Sequence, residues 1–239
     1  MSKPLGIMML DTAFERPVGD VGNPESWPFP VLYKRIPGAF ARRVIDGEDK
    51  ALLDAFVEAG QALAAAGAAA LTTSCGFLIL WQAELAARLP VPIATSSLLQ
   101  IPQLSALLPA GRTVGVITYD KAALTLAHFQ RAGLNAMPPV EGLPKGGAFH
   151  GLIEGGKSYD KAALAAEVDG AVERLIQRIP EIGALVFECT NLPPFSRAVS
   201  EKFNLPVFDS LTLGSWLLSG IPATGRQAGD YKEMIAGIH

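Results

Sequence analysis

Cysteine and histidine are scarce in this chain. Its 239 residues hold two Cys, at 75 and 189, and three His, at 128, 150 and 239. Two cysteines cannot build a disulfide framework, and without clustered His they form no metal cage, so neither a zinc site nor any other cofactor is expected. Long hydrophobic runs are missing too. No stretch approaches the roughly 20 apolar residues that span a bilayer. The first apolar run, Leu5 to Leu10, ends at Asp11 and is too short for the core of an export signal. Nor is there a surplus of positive charge: 20 Lys and Arg stand against 23 Asp and Glu, a formal net charge of -3. Phosphate binding needs a basic field, so a nucleic-acid partner is not expected. Lys34-Arg35 and Arg42-Arg43 are the local basic pairs, and they read as solvated surface charge. These absences describe a cytoplasmic protein with reduced thiols and no membrane partner.

Apolar residues are plentiful, at 49% against 18% charged, enough to bury a sizeable core in one unit or two compact lobes. Short apolar runs alternate with helix-like stretches, which is the pattern of an α/β fold with parallel strands. Strands are expected at 5–10, 68–72, 91–95, 113–118, 134–137, 184–188 and 206–209. Helices are expected at 49–66 (capped by Asp46 or Asp49), 77–89, from Ser96 or Ser97 to 108, 120–132, 160–178, 194–203 and 210–219. Two segments read as long loops. One, 11–37, carries Pro17, Pro24, Pro28, Pro30, Trp27, Phe29 and Tyr33; the other, 138–159, is rich in Gly. Long loops in compact domains are commonly lids or binding loops. The three aromatics of the first loop read as its anchors.

A faint repeat runs through the chain. Ala70-Leu-Thr-Thr-Ser-Cys75 ends a strand, a helix follows, and Leu89-Pro90-Val91 opens another strand. Ala184-Leu-Val-Phe-Glu-Cys189 ends a strand, a helix follows, and Leu205-Pro206-Val207 opens the next. The repeat predicts two pseudo-symmetric lobes, each a parallel sheet flanked by helices, with the cysteines facing each other across the cleft. In open α/β sheets the ligand crevice lies at the carboxyl ends of the strands.

A cysteine between a strand end and a helix start sees the positive end of the helix dipole, which favours thiolate. Free backbone N–H groups there suit a carboxylate. Thr73, Ser74, Thr190 and Asn191 add side-chain donors, and Gly76 gives room for close approach. Two thiols on opposite faces of a carbon acid can remove an α-proton and return one on the far side, inverting the centre without a cofactor. Either cysteine alone fits an inert core residue; the matched contexts favour function.

These residues resemble the aspartate/glutamate/hydantoin racemase superfamily. Asp11-Thr12 is similar to its acidic-hydroxyl pair, Thr73-Ser74-Cys75-Gly76 to its first cysteine motif, Val114 to Thr118 to the strand opening its second lobe, and Glu188-Cys189-Thr190-Asn191 to its second cysteine motif. The resemblance implies a first lobe of residues 1–110 plus 206–239 and a second of 111–205, with the last strand and helix returning to the first. It implies cofactor-free racemisation of a small carboxylate such as an amino acid or hydantoin, and compatibility with a homodimer. Cys75 and Cys189 would carry protons, with Asp11, Thr12, Ser74, Gly76, Thr118, Thr190 and Asn191 around the substrate. Asp11 or Glu188 would assist a cysteine. Gly76 and Asn191 stand where glutamate racemases commonly have Asn and His, and the 11–37 loop is foreign to them.

Three rival readings remain. Relatives on this fold isomerise a double bond through a cysteine or decarboxylate a small diacid. A non-catalytic binding protein would keep the cleft alone. Gly151 to Ser158 fits the phosphate-loop pattern G-x-x-x-x-G-K-[ST], but no strand is legible before it, so a glycine-rich lid is the better reading. His128 and His150 read as surface residues, and His239 as a disordered end.

Overall fold

The structure, a computed structural model, describes residues 3–45 and 49–222. The first lobe contains β1 (Leu5–Met9), β2 (Val31–Arg35), α1 (Ala41–Ile45), α2 (Lys50–Ala65), β3 (Ala70–Thr73), α3 (Gln82–Arg88), β4 (Ile93–Ala94) and α4 (Ile101–Leu107). The chain continues with β5 (Thr113–Thr118), α5 (Leu126–Arg131), β6 (Val140–Gly142), α6 (Ala148–Ile153), α7 (Lys161–Arg178), β7 (Ile182–Phe187), α8 (Pro193–Phe203), β8 (Val207–Phe208) and α9 (Ser210–Ser219). Two four-stranded parallel sheets result, ordered β2-β1-β3-β4 and β6-β5-β7-β8. Each lobe thus places its second strand at the edge and its first and third in the middle, and this shared order is the pseudo-symmetry that the repeat predicts.

Local chemistry sets the elements. Asp49 caps α2 by accepting from Leu52 N at 3.0 Å, whereas Asp46 lies outside the described residues. Asp160 accepts from Ala162 N and Ala163 N to start α7. Asn204 ends α8 in the left-handed conformation at φ 50. The middle strands are almost wholly buried, since helices and loops cover both faces: all five residues of β1 and all four of β3 are buried. On one face of the first sheet, Leu5, Ile7, Met9, Val21, Trp27, Ala70 and Leu218 form a satellite core. There Trp27 donates to Val21 O and lies against Gly214 of α9, so it does anchor its loop.

Several elements depart from the sequence expectations. Segment 11–37 is not all loop: 31–35 forms β2, an edge strand, which is where flanking prolines are tolerated. Segment 138–159 contains β6 and α6, while 134–137 forms no strand. Gly151 lies inside α6, so Gly151 to Ser158 is not a phosphate loop. The expected helix 120–132 is helical only over Leu126–Arg131, because the Asp120 carboxylate accepts from Ala122 N and Ala123 N in a separate turn.

The last strand does not return to the first lobe. β8 pairs with β7, Leu185 against Val207 and Val186 against Phe208. A short parallel crossover through α8 sets its strand beside the one it left. Among the described residues only α9 crosses back, packing against β3 and β4. The Leu-Pro-Val repeat had marked β8 as the counterpart of β4, and it was a better guide here than the family resemblance. Residues 223–239, His239 included, lie outside the described residues. Among the described residues no helix is long and apolar enough to cross a membrane.

Candidate active site

Cys75 and Cys189 follow the carboxyl ends of β3 and β7, and both line one small cavity of ≈ 40 Å³ between the lobes. Thr12, Phe14 and Arg16 of the first loop, Tyr119 after β5 and Ile153 of α6 close it. A wider hollow of ≈ 760 Å³ adjoins it and shares Thr12, Phe14, Ala41 and Ile153 with it, so these four form the neck between an outer vestibule and an inner chamber.

Each thiol sits at the start of a helical segment, but the local geometries differ. Cys75 is the N-cap of a 3-10 turn, Gly76–Trp81, and makes no side-chain cap hydrogen bond, although the backbone N–H groups of Phe77 and Leu78 act to lower its pKa. Cys189 precedes a Thr190-Asn191 turn that leads into α8; the Asn191 N–H acts to lower its pKa, and its Sγ lies 3.8 Å from Asn191 Oδ1. These N–H groups favour thiolate, as the sequence suggested. Burial and the neighbouring Glu188 carboxylate outweigh them. The Cys75 thiol is pushed up to about 12. Cys189 is driven well above the ordinary thiol range, by burial first and Glu188 second. The expected lowering is therefore reversed.

Glu188 is the pivotal buried acid. It is 1% exposed; Thr118 Oγ1 donates to its Oε2 at 2.8 Å, and its Oε1 has no partner among the described residues. Burial raises its pKa to about 7, with the Thr118 bond opposing. Gly76 is required by this carboxyl: a Cβ there would come within 2.2 Å of Glu188 Oε1 and 2.5 Å of Glu188 O. Glycine at 76 thus makes room for Glu188, not only for a ligand.

The other sequence-predicted residues divide into two groups. Thr12, Ser74, Gly76, Thr190 and Asn191 line the inner cavity with the cysteines. Thr118 sits behind it, holding Glu188. Asp11 lines the vestibule instead; its carboxylate accepts from Gly38 N at 2.9 Å and lies 3.8 Å from Arg35. Most of the predicted donors have protein partners. Ser74 Oγ accepts from Leu10 N, Thr190 Oγ1 donates to Ser74 O, and Asn191 Nδ2 donates to Asp20 Oδ2.

Sequence reasoning missed Arg16, Asp20 and Tyr119. Arg16 Nη1 donates to Asp20 at 2.7 Å and its Nη2 to Thr12 Oγ1 at 2.7 Å. Tyr119 donates to Glu154 at 2.8 Å and stacks on His150 with centroids 4.4 Å apart. Burial, then that bond to Glu154, drives its hydroxyl above the ordinary phenol range. No motif flags these residues; a polar, charged cluster inside a Pro-rich loop was the available signal for Arg16 and Asp20. Both internal histidines are less exposed than expected. His128 is 3% exposed and meets Phe77 edge-on at 5.3 Å, and burial lowers its pKa. His150 is half-buried in α6, not on a surface loop.

Two lobes of this order with paired cysteines at the strand ends define the racemase-like class of α/β proteins. The sequence profile of the Asp/Glu/Hydantoin racemase family matches residues 32–218, and the chain belongs to that family. A curated dimethylsulfoniopropionate lyase of Durusdinium sp. clade D is 26% identical over 224 residues, covering 90% of this chain and 74% of that protein. Among solved structures, unliganded arylmalonate decarboxylase superposes with a TM-score of 0.57 at 18% identity, covering 94% of this chain and 96% of that one. The aspartate racemase of Picrophilus torridus gives 0.56 at 15% identity, covering 96% and 98%. The likeness to these two structures is one of fold. The chain is thus an enzyme-type member of the racemase family, whose relatives include lyases.

Proposed function

We propose that this protein is a cofactor-independent carbon-acid enzyme. One of Cys75 and Cys189 removes a proton from the α-carbon of a small carboxylate, and the overall reaction is elimination of a group from the β-carbon. The observation that carries the reading is the one small cavity lined by both thiols with the Glu188 carboxyl beside them. A cavity holding the Glu188 anion resists a second negative charge. Passing the thiol proton to Glu188 removes that conflict: the S–H bond breaks, an O–H bond forms, and the pair stays on sulfur. The thiolate then takes the α-proton. The C–H electron pair becomes the Cα–Cβ double bond, and the bond to the leaving group breaks with its electrons. The neck and α6 keep water from competing.

The dimethylsulfoniopropionate lyase relative supports elimination of a sulfide from a sulfonium. The rings of Phe77 and Tyr119 suit a cationic group in the chamber. A second reading, racemisation, draws on the presence of the second thiol, which would return a proton on the opposite face. Both share the first step. The test is NMR in deuterated water with dimethylsulfoniopropionate, aspartate, glutamate, hydantoins and substituted malonates. Wild type, Cys75→Ser and Cys189→Ser are compared. Elimination predicts release of dimethyl sulfide and acrylate, cut at least about a hundredfold when the basic thiol is replaced. Deuterium entering amino acids from both hands, and made one-handed by each substitution, would select racemisation. No release and no exchange on any compound at high enzyme concentration would sink both.

A further inference from the structure

A carboxylate entering the chamber needs donors, and the protein has used most of those nearby. Thr118, Thr190 and Asn191 donate to protein partners, and the Ser74 hydroxyl is held by Leu10 N. Arg16 differs. It is the only cation among the described residues lining the chamber, and its side chain is 14% exposed. A guanidinium has five N–H donors. One goes to Asp20 and one to Thr12 Oγ1, leaving three. Phe14 covers one face at 4.5 Å, so the donor edges stay open while the plane is fixed. Asp20, 2% exposed, is itself held by Gly22 N and Asn191 Nδ2, which ties this cation to the second cysteine motif.

We propose that Arg16 is the anchor of the substrate carboxylate, a specificity-determining residue brought to the chamber by the loop between β1 and β2 and held in place by Asp20. This deepens the carbon-acid reading by naming what recognises the acid. Charge-assisted, forked bonding to a carboxylate is what a pre-oriented guanidinium does well. The Asp20 anion fixes its direction without using up its donors. Glu188, Tyr119 and the two thiols are the other titratable groups lining the chamber, with Asp20 beside it, so among the described residues a bound carboxylate has Arg16 as its only cationic partner there.

The test is direct binding to the full chain, followed by ligand-observed NMR titration with sodium propionate and with propionamide, its neutral isostere. Wild type is expected to bind propionate at least about tenfold tighter than propionamide. The pair Arg16→Gln with Asp20→Asn removes both charges and leaves an amide at each position, and it should bring propionate down to the level of propionamide. Arg16→Lys, which keeps charge but loses the fork, should keep only part of the preference. The proposal is overturned by a wild type without preference, by a folded double variant that retains it, or by an Arg16→Lys protein with preference unchanged. Binding involves no turnover. A protein that binds propionate through Arg16 yet exchanges no α-proton would refute the reaction alone.

Discussion

Glu188 is a carboxyl with one satisfied oxygen and one orphan, sealed under a glycine between two thiols. Such a group is stable when neutral and costly when charged. Its pKa is raised from 4.5 to about 7, so the native state binds the proton more tightly than the unfolded chain. The associated stability is fully present below the unfolded value near 4.5. It falls as pH rises and is lost once pH passes about 7. Glu188→Gln keeps the shape and should flatten that decline. It should leave the variant more stable than wild type at pH 8, by up to about 3 kcal/mol, measured by urea denaturation across pH. The same substitution removes the acceptor for the thiol proton, so turnover should drop. A wild type whose stability is level between pH 4.5 and 7 would show that Glu188 is ionised throughout.

Among the elements, α6 is the piece best placed to open the chamber. It is six residues long, too short to hold itself, and it is fastened at both ends. Glu167 of α7 accepts from Ala148 N and Phe149 N at its start, and Glu154 just past its end accepts from Tyr119. Gly147 is part of this clasp, since a Cβ there would strike Glu167 Oε1. Glu167→Ala should cost about 1 kcal/mol, the worth of a lost N-terminal cap. Amide exchange over 148–153 should accelerate several-fold while the rest of the second lobe keeps its protection. If exchange there stays unchanged, α6 is held by packing of Phe149 and Leu152 and not by the carboxylate.

At the scale of the whole molecule, the lobes are bound into one unit. Ser97 Oγ of the first donates to Phe187 O of the second at 2.6 Å, and Thr190 Oγ1 donates to Ser74 O at 2.7 Å. One hydrophobic core runs from Leu52 and Phe56 through Leu98 and Ile101 to Val116 and Phe187. The helix α9 then spans from the second sheet back to the first. A single cooperative denaturant transition is therefore expected, with tryptophan fluorescence and far-UV circular dichroism coincident. Separate midpoints would mean that the lobes unfold independently despite the shared core.

Alternating apolar runs and helix-like stretches, the strand-end cysteines and the Leu-Pro-Val repeat specified two parallel α/β lobes from sequence alone. These signals are local: a buried parallel strand must be apolar on both faces, and a turn after it must carry the chemistry. The partner of β8, the strand inside the Pro-rich loop and the helix inside the Gly-rich segment were decided by tertiary packing. So was the ionisation of the site. A helix N-terminus argues for a lowered thiol pKa, but desolvation and the charge of Glu188 depend on what the other lobe places above each sulfur. The same holds for Arg16, which stands 173 residues before Cys189 and reaches its chamber only because the first loop folds across the cleft. A sequence states which groups are present; the field each one feels is a property of the assembled interior.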